Sequence, residues 1–373
     1  MRLAGASNSR GPGLSSSFWR KQAGAVFPGN RNQLLGGTFT AMDVIPETHR
    51  EVARSALAEA FRPGKDPVIQ PVVGGASGAL TYRIEVNGRF YLMRLETRRG
   101  PLRNPHQYTC MKIAADAGIA PALRYADDAA GVAILDFIEQ RPLQDYPGGA
   151  LGLATAAGRL AAQLQQTAAF PELADYLAIL ERMLAYAQRM FAAGLLEPHL
   201  EAFQRIRAAY PWDSAKHVSS HNDLNPANIL FDGQRLWMID WETSGRNDAM
   251  TDIAILAENF ARTPELEEAL VRAWLGGQLD PCGRSRLMLM RKLTRLYYAG
   301  ILLATSVTAT GGAPINDLAA PTEAEFRALV TSGQIQAGSV ETKKLLGKMM
   351  LAGFLDGTQT EAFHRALNEI RGE

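Results

Sequence analysis

Asp223, Asn228 and Asp240 are three oxygen-bearing side chains set within one short stretch of this 373-residue chain. Residues 218–231 read Val-Ser-Ser-His-Asn-Asp-Leu-Asn-Pro-Ala-Asn-Ile-Leu-Phe, and Asp232-Gly233 leads on to Leu-Trp-Met-Ile-Asp at 236–240. The apolar segments 229–231 and 236–239 flank an Asp-Gly turn, a pattern that predicts a hairpin. Its open end would present Asn228 and Asp240 together. An amide oxygen beside a carboxylate is a hard ligand pair of the kind Mg²⁺ takes, with water filling the rest of its shell. Asp223 opens the same loop and is not needed for the metal. A carboxylate in that place can accept the proton of an attacking hydroxyl.

Two differently built regions must position these groups. Periodicity predicts a helix over 46–61, with Val52, Ala53, Ala56, Leu57 and Ala60 on one face. Strands are predicted at Val68–Val73, Leu80–Val86 and Phe90–Leu95, the last two joined by the two-residue turn Asn87-Gly88. A helix over about 105–117, closed by Gly118, precedes two short strands near Leu123–Tyr125 and Val132–Phe137. From Leu151 to Tyr210 the apolar spacing is helical, and helices resume after Asp248 through 266–275 and 285–303 to 341–371. The reading is an α+β fold of two lobes: a small, strand-rich lobe over 42–138, and a large, mainly helical lobe over 139–373.

Hydrophobic residues make up 47% of the chain and charged residues 21%, as in an ordinary globular protein. A net charge of +1 supplies no counterion-release term for nucleic acid. No apolar run reaches the roughly 18 residues of a membrane span. Cys110 and Cys282 form no C-x-x-C, which fits a reducing, cytoplasmic setting. Residues 1–41 carry basic but no acidic side chains and are rich in Gly, Ser and Asn, so a disordered N-terminal extension is expected there.

The run His-x-Asp-x-x-x-x-Asn followed by Ile-Asp-Trp-Glu resembles the catalytic and metal motifs of the aminoglycoside phosphotransferase/choline-ethanolamine kinase family, the small-molecule branch of the protein-kinase-like fold. The resemblance spans roughly residues 68–300. It implies a two-lobed kinase fold, with a small nucleotide-binding lobe and hinge over 42–138 built of an antiparallel sheet plus one helix, a large catalytic and substrate lobe over 139–373, and the cofactors ATP and Mg²⁺. It also assigns roles: Asp223 as base, Asn228 and Asp240 on the metal, Glu242 near a second metal, His221 as a brace of the loop, and Asp252 as the acid that hydrogen-bonds it. Gly74, Gly75 and Ser77 belong to a glycine-rich loop whose amides approach phosphates. Arg94 stands where the phosphate-pairing cation is expected, and Asp136 with Ile138 forms the hinge that receives adenine. Two positions depart from the family pattern. Gln107 replaces the Glu that orients the cation, so that either Arg94 is held less tightly or another carboxylate such as Glu96 substitutes; Gln165 replaces a His.

Asp252 follows Asp240 by only 12 positions, too few for the activation segment of a protein kinase. The expected acceptor is therefore a hydroxyl of a small molecule. Between Ile253 and Thr310 stand five acidic and seven basic residues, a balance that does not suit a polycation. A quaternary ammonium would want an aromatic face, and Trp241, Phe260, Trp274, Tyr297 and Tyr298 are available. A choline- or ethanolamine-like amino alcohol is the leading expectation. An aminoglycoside or sugar kinase is the alternative within the class, and a nucleotide-binding pseudokinase the alternative outside it.

Overall fold

The computed structural model describes residues 42–61, 67–72, 79–97, 103–173, 175–309, 315–336 and 338–372. The expected N-terminal extension and the glycine-rich loop with Gly74, Gly75 and Ser77 lie outside them. Helix α1 (Glu47–Ala60) is followed by strands β1 (Val68–Pro71), β2 (Ala79–Val86) and β3 (Arg89–Glu96). After α2 (Gln107–Asp116) come β4 (Leu123–Asp127) and β5 (Val132–Asp136). The five strands form one antiparallel sheet in the order β1-β2-β3-β5-β4. Asn87 and Gly88 both have positive φ, 51° and 75°, as a type I′ turn requires of the β2–β3 hairpin. Alternation along β3 sends Tyr91, Met93 and Leu95 into a core with Ile84, Ile134 and the α1 residues Ala53, Ala56 and Leu57. The apolar face of α2 turns the other way. Tyr108, Cys110, Met111 and Ala114 join the core of the helical region.

That region comprises α3 (Gly149–Gln165), α4 (Tyr176–Met190), α5 (Glu197–Ala209), α6 (Met250–Phe260), α7 (Pro264–Leu275), α8 (Pro281–Ala309), α9 (Glu323–Thr331), α10 (Val340–Thr358) and α11 (Glu361–Arg371). Helix α8 is its axis and packs against α4, α6, α10 and α11. Ile253 through Ala257 of α6 are all buried, so this helix threads the core instead of covering it. Close contact of α3 with α7 depends on Gly158, where any Cβ would strike the carbonyl of Leu270.

Four short strands interrupt the helices: β6 (Val218–Ser220), β7 (Ile229–Phe231), β8 (Leu236–Met238) and β9 (Gly245–Asn247). β7 pairs with β8 antiparallel, Ile229 opposite Met238, which is the hairpin read from the sequence. Asp232 organises its loop by accepting hydrogen bonds from the amides of Gln234 and Arg235 and from the Trp237 indole. β6 pairs with β9, so the chain returns beside the start of the His221–Asn228 loop before entering α6.

Candidate active site

The loop from His221 to Asn228 is held from behind by a buried polar network. Asp252, in the first turn of α6, accepts hydrogen bonds from the backbone amides of His221 and Asn222, each at 2.9 Å, and lies 2.9 Å from the Ser220 hydroxyl. Burial pushes its carboxyl above the usual range, and the nearby His221 with these donors works in the opposite direction. Asn222 adopts φ 64°, a left-handed conformation that its short amide tolerates. Its side chain donates to the Thr243 carbonyl at 2.9 Å and accepts from Asn247 at 2.7 Å. His221 is fully buried, with Nε2 2.9 Å from the Ile239 carbonyl and its ring 4.7 Å from that of Trp241. It touches structure rather than open cleft.

Asp223 emerges at the front of this frame. Its Oδ1 accepts from the Tyr298 hydroxyl at 2.6 Å and from Asn225 Nδ2 at 2.9 Å, and Oδ2 accepts from Asn228 Nδ2 at 2.9 Å. Burial raises its carboxyl above the usual carboxylate range against the opposing pull of Tyr298 and Asn225. Burial and the facing Asp223 charge likewise raise the Tyr298 phenol well above its ordinary value.

Asn228 Nδ2 also donates to the Asp223 carbonyl at 2.8 Å, so the amide nitrogen is fully committed. Its Oδ1 accepts no hydrogen bond among the described residues. The Ile239 amide donates to the Asn228 carbonyl at 3.0 Å, which sets Asp240 beside Asn228 as the hairpin predicts. Asp240 has φ 68°, a costly conformation for a non-glycine residue outside a special site. Asp240, Glu242 and the free Asn228 oxygen form a set of hard donors suited to a divalent cation. In the structure the cation facing the two carboxylates is Arg94, whose Nη2 lies 3.5 Å from Asp240 Oδ1 and is hydrogen-bonded to Glu242.

Arg94 is buried on β3, and its Nη1 donates to Gln107 Oε1 at 3.2 Å. Gln107 thus does meet the cation, but as a neutral acceptor. Its amide nitrogen donates in turn to Glu96, which Arg103 grips through Nε at 2.7 Å and Nη2 at 3.1 Å. Burial alone would raise the Glu96 carboxyl, but hydrogen bonds chiefly from Arg103 outweigh it and hold the group below its usual range. Glu96 therefore acts on Arg94 at one remove. This relay from Arg94 through Gln107 and Glu96 to Arg103 was only half visible in the sequence. The missing member, Arg103, carries no local mark.

At the end of β5, the Asp136 carboxylate forms a two-point ion pair with Arg124, 2.6 Å at each contact. The Ile138 amide has no hydrogen-bond partner among the described residues. Of the aromatic candidates, three are occupied elsewhere. Trp241 is buried against His221 and Phe170, Phe260 is buried in α6, and Trp274 donates to Gln165 Oε1 at 2.7 Å. Gln165 also donates to the Ala249 carbonyl at 2.9 Å, bridging α3 to the start of α6. Tyr298 stands at Asp223, with Tyr297 packed beside it at 5.8 Å between ring centroids.

The sequence profile of the phosphotransferase enzyme family matches residues 68–285, more than half of the chain. The chain belongs to the phosphotransferase enzyme family. Its kinase-like fold is shared with solved structures. A choline/ethanolamine kinase family protein from Mesorhizobium loti superposes with a TM-score of 0.61 at 21% identity, covering 87% of this chain and 99% of that one. A choline kinase from Cryptosporidium parvum gives 0.58 at 13% identity, covering 85% and 97%. In sequence, the protein LicA of Haemophilus influenzae is 32% identical over 108 residues, 28% of this chain. The match spans only 38% of LicA's own length. No helix among the described residues is long and apolar enough to cross a membrane.

Proposed function

We propose that this phosphotransferase-family chain transfers the γ-phosphate of ATP to a hydroxyl of a small amino alcohol of the choline or ethanolamine kind. The observation that carries the reading is the three-way arrangement of Asp223, Asn228 and Asp240. One Asn228 amide holds Asp223 with its nitrogen and leaves its oxygen without a donor among the described residues, and the backbone carbonyl of the same residue accepts from Ile239, the neighbour of Asp240. Asp223 accepts the proton of the acceptor hydroxyl as that oxygen attacks phosphorus in line. Asn228, Asp240 and Glu242 would hold Mg²⁺, which when bound neutralises charge on the phosphate oxygens. Arg94 pairs with the same oxygens, and Gly74, Gly75 and Ser77 are assigned to phosphate binding by their resemblance to the family's glycine-rich loop. Asp136 and Ile138 receive the adenine.

Catalysis of this kind rests on positioning and preorganised charge. The buried network behind His221–Asn228 and the left-handed turn at Asp240 supply that rigidity. Support for an amino alcohol over a polycationic acceptor comes from the charge balance between Ile253 and Thr310, five acidic against seven basic residues. The named activities of several structural relatives point the same way, among them a choline kinase LicA from Streptococcus pneumoniae with a TM-score of 0.51.

A panel of hydroxyl compounds with ADP release as readout tests the proposal. Choline or ethanolamine is expected to be phosphorylated. Turnover of an aminoglycoside with none of any amino alcohol would overturn the acceptor assignment. Asp223→Asn is expected to lower kcat by about 10² or more while the KM for ATP stays nearly constant. Equal turnover by variant and wild type would remove Asp223 as the base.

A further inference from the structure

The Asp223 carboxylate offers about four acceptor positions, two on each oxygen. Both on Oδ1 are filled, by Tyr298 Oη at 2.6 Å and Asn225 Nδ2 at 2.9 Å. Oδ2 takes one donor, Asn228 Nδ2 at 2.9 Å, and keeps one position open. Asn225 and Asn228 belong to the same short loop as Asp223 and move with it. Tyr298 does not. It comes from the middle of the 29-residue helix α8, and its ring packs edge-on against buried Tyr297, which in turn packs on Tyr176 at 5.5 Å.

We propose that Tyr298 is the positioning residue that ties the carboxylate of Asp223 to the helical scaffold, so that the open position on Oδ2 is the one presented to the acceptor hydroxyl. A carboxylate held only by its own loop can rotate about its terminal torsion, which has broad, shallow wells. A hydrogen bond to a fixed phenol on the opposite oxygen removes that freedom before the acceptor arrives. Because α8 also packs against α6, α10 and α11, the tie links the reacting carboxylate to the C-terminal helices. The inference rests on the proposed role of Asp223 as base.

Tyr298→Phe tests it, because phenylalanine keeps the ring packing and deletes only the hydroxyl. The expected result is a fall in kcat of about tenfold or more, with KM for ATP and for the alcohol each changed less than about twofold. A rise in KM for the alcohol at unchanged kcat would overturn the proposal by making Tyr298 a substrate contact. The fall should also vanish in an Asp223→Asn background, since the residue acts only through Asp223. An equal further loss in that background would mean a structural role and overturn it. Crystal structures of wild type and Tyr298→Phe give a readout independent of any acceptor. A carboxylate turned or spread over several orientations in the variant supports the tie, and an unchanged Asp223 overturns it whatever the kinetics. If the wild-type chain phosphorylates no alcohol, the functional proposal fails while the crystallographic comparison still decides this one.

Discussion

Asp252→Asn exchanges one oxygen for an NH₂ group at the point where the His221–Asn228 loop is anchored. Asp252 Oδ1 accepts from the Asn222 amide, and Oδ2 accepts from the His221 amide beside the Ser220 hydroxyl, all at 2.9 Å. Whichever way an asparagine amide turns, its NH₂ meets a buried backbone N–H. One amide then lacks an acceptor, at a cost of about 1–3 kcal/mol. The bonds that survive become neutral and lose roughly half their strength, adding about 1 kcal/mol. Removing a buried charge recovers some desolvation, which keeps the total near 3 kcal/mol. With a urea m-value of about 3 kcal/mol per M, the unfolding midpoint should fall by about 1 M at unchanged m. Fluorescence is a suitable probe, since Trp241 packs on His221 of the same loop. The displaced loop should also lower kcat by roughly tenfold or more. A midpoint shift below about 0.3 M would refute the view that Asp252 anchors the loop through these donors.

Gln107→Glu restores the acid that the family pattern expects, yet it should not improve the enzyme. The Gln107 amide nitrogen donates to Glu96, so a carboxylate there would face Glu96 instead. At neutral pH a Tm no higher than wild type is expected by thermal unfolding, and a clear rise would refute the relay. Glu258 is flanked by Arg291 and Arg295, whose attraction outweighs the burial that would raise it and draws its carboxyl down to about 2. A depressed carboxyl contributes stability that is present above its unfolded value near 4.5 and lost as pH falls toward about 2. Glu258→Gln should therefore destabilise at pH 7 by up to about 3 kcal/mol and flatten the loss of stability between about pH 4.5 and 2. Urea titrations at several pH values check this, and parallel pH curves for the two proteins would refute it.

The hairpin that pairs Asn228 with Asp240 was determined by the sequence itself. Asp232-Gly233, two short apolar runs and Asn87-Gly88 in the small sheet act through local turn chemistry and period-two alternation, which need no distant partner. Asp223 and Arg94 were singled out instead by their resemblance to a family's motifs. Gln107 could be located but not interpreted, because its meaning depends on Glu96 and Arg103, brought beside it by strand pairing and loop return. The aromatic residues show the limit most plainly. Trp241, Phe260, Trp274, Tyr297 and Tyr298 look alike in a list of side chains, and only packing separates those engaged elsewhere from the one that meets Asp223. Tyr298 lies 75 residues from Asp223, and their contact follows from the phase of α8 against α6 and the His221–Asn228 loop. Local rules determine which residues turn and alternate. Which residues meet across the core is decided by how the helices pack.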